Sequence, residues 1–76
     1  MHLKHDADLE KFLSDVRLCS SEVYFETAKG DSLTLRSTLS QYIFRTMAGE
    51  PETISAGTIR FSDVADMERL LPYLEE

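Results

Sequence analysis

The feature that most constrains this chain is a change of period inside "KGDSLTLRSTLSQYIF", Lys29 to Phe44. Up to Arg36 the apolar residues alternate, Leu33 and Leu35, as on a strand with one buried face. From Thr38 they recur at three and four, Leu39, Tyr42 and Ile43, as on an amphipathic helix. Strand must therefore become helix at Arg36-Ser37-Thr38. Either hydroxyl can supply the oxygen that an N-cap needs, and Thr38 with Gln41 has the spacing of a capping box.

The segment before this junction alternates too. In "EVYFETA", Val23, Phe25 and Thr27 lie on one side and Tyr24 and Glu26 on the other. "KGDS" supplies a turn in which Gly30 is free to take positive φ. A hairpin over about 22–28 and 32–36 follows. A third strand is read at "TIRFS", with Ile59 and Phe61 inward.

Helical spacing appears on both flanks. Leu9, Phe12, Leu13, Val16 and Cys19 share a face, which predicts a helix over about 7–18 with Asp6 as its cap. The second helix extends to Met47 or Ala48, and "EPETISAG" after it reads as a turn. Ser62 or Asp63 caps a third helix carrying Val64, Met67, Leu70, Leu71 and Leu74. Pro72 ends or kinks it near Leu71. The order is α-β-β-α-β-α, with at most a strand stub in front. Alternating strands and amphipathic helices imply a two-layer α+β sandwich, an antiparallel sheet with three helices on one face. The expected core is Leu9, Phe12, Leu13, Val16, Val23, Phe25, Leu33, Leu35, Ile59, Phe61, Met67, Leu70 and Leu71.

With 76 residues, one domain spanning 1–76 is the sensible count. The formal net charge of −6 argues against nucleic acid, whose affinity comes from neutralised phosphates. No apolar run approaches the ~18 residues of a membrane span, and residues 1–8 lack the apolar core of a signal peptide. Cys19 is the only cysteine, so no intrachain disulfide can form. That suits a reducing cytoplasm, with Cys19 acting as a small buried hydrophobe.

The stretch "EVYFETAKGDSLTLRSTLS" resembles the HPr phosphocarrier family of the bacterial sugar phosphotransferase system. That family has a hairpin with a Gly-containing turn, a strand ending in a basic residue and Ser, and then a second helix. The resemblance implies the βαββαβα open-faced sandwich for the chain. It places Arg36-Ser37 at the family's basic-Ser step, where Ser37 matches a regulatory phosphorylation position. Counting back without a gap, His5 falls at the phosphoryl-accepting histidine. There the family reads His, small residue, Arg, Pro; this chain reads His5, Asp6, Ala7, Asp8. The helix N-terminus could receive a phosphate, but the arginine is missing and two carboxylates repel the ligand. A frayed histidine without a role is the plain alternative.

His2 and His5 with Asp6 and Asp8 do not make a metal site, because no second ligand cluster exists. The family's docking surface is formed by the second helix and the start of the first, and the resemblance implies Arg36, Leu39, Tyr42 and Phe44 as the partner-binding residues here. Phe44 could instead pack under the following loop. Ser37 and Thr38 could serve as a cap alone. The expectation is a docking or regulatory module for a protein partner, without a cofactor or enzymatic chemistry of its own and with phosphocarrier activity impaired or lost. An active histidine phosphocarrier, or a structural subunit pairing through a sheet edge left open by the short first strand, are the rivals.

Overall fold

The computed structural model describes residues 1–76. It is a small α+β protein with four α-helices and two antiparallel sheets. The elements are β1 (His2–Leu3), α1 (Leu9–Arg17), β2 (Val23–Glu26), β3 (Ser32–Thr34), α2 (Thr38–Met47), α3 (Pro51–Ala56), β4 (Thr58–Phe61), α4 (Val64–Leu70), a 3-10 turn (Leu71–Tyr73) and β5 (Leu74–Glu75). No helix is long and apolar enough to cross a membrane.

The larger sheet has the order β3-β2-β4. Phe25 lies opposite both Leu33 and Ile59, and Tyr24 lies opposite Thr34 and Arg60. This register puts Val23, Phe25, Leu35 and Ile59 on the buried side, as the alternation requires. The other face carries Tyr24, Glu26 and Arg60. The Arg60 guanidinium lies 4.6 Å from the Tyr24 ring centroid and 3.2 Å from Glu26, a partly exposed cation–π and ion-pair cluster. Gly30 takes φ +96 in the hairpin turn, where a side chain would be strained.

Aromatic rings bind the helices to the sheet. Phe44 of α2 meets Phe25 edge-on at 5.1 Å and Phe12 of α1 at 6.1 Å, and Phe12 meets Tyr73 at 5.7 Å. The expected core holds for Phe12, Leu13, Val16, Val23, Phe25, Leu35, Ile59 and Leu70, and Cys19 is buried with them. Leu9, Leu33, Phe61 and Met67 are half-buried at its margin. Leu71 is 41% exposed, because the helix gives way to the 3-10 turn at the residue before Pro72. Leu3, Phe44, Ile54 and Leu74 complete the core.

Three boundaries differ from the sequence reading. First, α1 begins at Leu9, capped by Asp8, whose carboxylate accepts from the Lys11 N–H at 3.1 Å; Asp6 lies in the preceding turn. Second, the segment read as a turn forms α3, with Pro51 at its first position, a favourable place, and Gly57 after its end. Third, β1 pairs with β5, His2 opposite Glu75 and Leu3 opposite Leu74. The Ile59 N–H also donates to the Met1 carbonyl at 2.7 Å. Residues 1–3 therefore cover the β4 edge that was expected to stand open.

Candidate functional site

The junction that opens α2 is built by two different hydroxyls. Ser37, in extended conformation at φ −76 and ψ 135, is the N-cap, and its side chain accepts from the Ser40 N–H at 3.4 Å. Thr38 is the first residue of the helix, and its hydroxyl accepts from the Arg17 guanidinium at 2.7 Å. Arg17 lies at the end of α1, so it lashes that end to the start of α2. Sequence spacing carried no sign of this pair, since 21 positions separate the two residues.

Gln41 does not close a capping box. It is buried and points inward, and its amide donates to the carbonyls of Leu13 at 3.1 Å and Leu35 at 2.9 Å. One side chain thus joins α2, α1 and the end of the hairpin. Its burial follows from its place in α2, three residues ahead of Phe44 on the same inward side.

Phe44 belongs to this anchor and not to a docking surface. It is fully buried against Phe25 and Phe12. The exposed apolar residues of α2 are Leu39 (68% exposed), Tyr42 (67%) and Ile43 (39%). Arg36 and Ser37 are exposed beside them. The structure therefore brings together Arg36, Ser37, Leu39, Tyr42, Ile43 and Arg17, and removes Phe44 from the set. Arg45, one side over, pairs with Glu10 at 2.9 Å.

His5 occupies a second place. It is exposed in the turn before α1 and lines a cleft of about 500 Å³ together with Leu3, Lys4, Ala48, Ile54 and Ser55. The Asp8 cap already occupies an N–H at the α1 terminus, where an incoming phosphate would need open amides. Asp6 and Asp8 are both exposed near His5, and Ala7 offers no cation. His2 stands apart, with its Nδ1 2.7 Å from the Gly57 carbonyl. No three His, Cys, Asp or Glu side chains converge on a point that could hold a metal ion.

Two buried polar groups complete the electrostatics. Burial alone would raise the Asp66 carboxyl. Hydrogen bonds from the Ser20 and Ser21 N–H groups and the Ser20 hydroxyl, with the Arg69 charge, hold it below the usual carboxylate range. Cys19 is pushed up by burial and by the Asp66 charge. It is thus a packed thiol with little thiolate character.

No protein-family model matches the chain, and no curated protein or solved structure matches it.

Proposed function

We propose that this chain is an HPr-like docking module. It binds a protein partner through the start of α2, and efficient phosphoryl transfer at His5 has been lost. The observation that carries the reading is the two-sidedness of α2. Its inner side is locked by Phe44 and Gln41, while Leu39, Tyr42 and Ile43 face solvent. Exposed aromatic and aliphatic side chains on a rigid element, rimmed by arginines, suit the core and rim of an interface. The element order also supports it: with α3 and β5 set aside, it runs βαββαβα.

Loss of carrier chemistry rests on the other terminus. A carrier histidine needs open amides and a cation for the phosphate. Here Asp8 occupies the helix end, and Ala7 stands where the family places arginine. Phosphorylation of Ser37 would set negative charge at the positive end of α2, between Arg36 and the Thr38-bound Arg17. Such a charge lies beside Leu39 and Tyr42 and would weaken an apolar partner by desolvation cost. A cytoplasmic setting accords with the unpaired, buried Cys19.

Incubation with phosphoenolpyruvate and enzyme I tests the carrier half. The expected result is no acid-labile, alkali-stable phosphate at His5, and stoichiometric phosphorylation there would establish the active-carrier alternative. The docking half is tested by affinity capture with wild type, Leu39→Ser/Tyr42→Ser and His5→Ala. The partner should be lost from the α2 variant alone. Retention by the α2 variant sinks the docking reading.

A further inference from the structure

The six large apolar side chains that remain well exposed all belong to helices or their ends: Leu18, Leu39, Tyr42, Ile43, Val64 and Leu71. None lies on a strand. Helices α2, α1 and α4 run side by side with α1 in the middle. Its Arg17 reaches Thr38 and its Glu10 reaches Arg45, so α1 and α2 are antiparallel. Ser20 and Ser21 bind Asp66, and Asp15 accepts from the Tyr73 hydroxyl at 2.6 Å, so α1 and α4 are antiparallel as well. The outer helices α2 and α4 therefore point the same way.

Their charges are opposite. Residues 36–47 contain Arg36 and Arg45, the latter paired with Glu10 of α1, and no carboxylate of their own. The outward side of α4 presents Glu68 between Val64 and Leu71, with Asp63 at its start. Its one cation, Arg69, is a quarter-turn away from Glu68.

We infer that the partner of the α2 surface is a second copy of this chain, docked helix layer to helix layer. This rests on the docking reading above. The charges select the symmetry. A two-fold axis parallel to α1 lays the basic-apolar α2 of each copy on the acidic-apolar α4 of the other. An axis perpendicular to the helices lays α2 on α2 and α4 on α4, like charge on like. The first arrangement is isologous and closed, so it gives a dimer and no fibre. One face of a body measuring 28 × 25 × 22 Å offers on the order of 500–700 Å² per copy, the area of a small transient interface. Opposed rims hold the copies against the repulsion of two bodies that each carry net charge −6.

The test is mass by sedimentation or light scattering from about 10 µM to 1 mM, the range of weak association. A basic-rim variant, Arg36→Glu/Arg45→Glu, is compared with an acidic-rim variant, Asp63→Asn/Glu68→Arg, in which asparagine keeps a capping oxygen. Wild type should climb from 8.7 kDa toward twice that mass. Each variant alone should associate at least tenfold more weakly. Their equimolar mixture should recover wild-type association, because one interface is then re-matched and the other is native. Raising salt from about 50 to 500 mM should weaken the wild-type dimer by screening the rims. Leu39→Ser, at an exposed site, gives an independent reading should a rim variant fold poorly, and it too should dissociate the dimer. Wild type that stays at 8.7 kDa through 1 mM overturns the second copy while leaving α2 to a foreign partner. A dimer indifferent to both rims and to Leu39→Ser, or a mixture that fails to recover, overturns it as well.

Discussion

The Gln41 amide donates to the Leu35 carbonyl at 2.9 Å inside the core. The same nitrogen reaches the Leu13 carbonyl at 3.1 Å. Gln41→Leu matches the surroundings in polarity but removes the amide donor from both carbonyls. It should cost about 1–3 kcal/mol, a large share of a small domain's ~5–15 kcal/mol. Urea unfolding checks this: the midpoint should fall while the slope holds. An unchanged midpoint would mean that the bonds contribute nothing net.

Ser37 and Thr38 are now separable. Ser37→Ala removes the cap of α2 and should cost about 0.5–2 kcal/mol. Thr38→Val removes only an exposed bond to Arg17 and should cost under about 0.5 kcal/mol. Ser37→Asp keeps a capping oxygen, so thermal melting should show a fold close to wild type, with any loss confined to partner affinity. A Thr38→Val effect larger than that of Ser37→Ala would reverse the assignment.

Gly57 is required by space and not by backbone conformation. A Cβ there would overlap the Phe25 ring and lie 3.1 Å from the Glu26 carbonyl. Its φ of −82 suits any residue. Gly57→Ala should therefore cost about 1–3 kcal/mol through displacement of a core ring. The companion Phe25→Leu should relieve part of that loss, so the double variant should be more stable than the two single losses added together.

Asp66 makes stability depend on acid. Its folded carboxyl is held below its ordinary value, so the stabilisation is present above about pH 4. It is lost as pH falls through the folded pKa. Asp66→Asn should lower the melting temperature at pH 7 and converge on wild type at low pH, where wild type has lost the same charge. Parallel curves across that range would show that the carboxylate charge is not what Ser20 and Ser21 need.

Much of this was legible in the residues, for identifiable reasons. Val23, Phe25, Leu35 and Ile59 follow from alternation, because a strand with one wet face leaves few other patterns. Phe12, Leu13, Val16 and Leu70 follow from helical spacing in the same way. The missing pieces depended on remote partners. Pro51 and Gly57 suit a turn, yet they also sit where a short helix begins and ends; the packing of Ile54 into the core decides between the two. Gln41 looked like a surface cap because polarity alone does not reveal a buried carbonyl waiting for a donor. Phe44 is ambiguous in the sequence because Phe25 and Phe12, which enclose it, are remote along the chain. At the candidate site, Ser37, Leu39 and Tyr42 lie where the period change put them. Arg17 arrives from another helix and left no trace in the local pattern.

The pairing of His2–Leu3 with Leu74–Glu75 has a consequence for folding. Leu3 and Leu74 fill one corner of the core together. Closing that corner joins positions about seventy residues apart, a contact of high sequence separation whose loop entropy must be met first. The β2–β3 hairpin and the α1–α2 pair close shorter loops, so the corner beside β4 is the part of the core whose closure costs the most chain entropy.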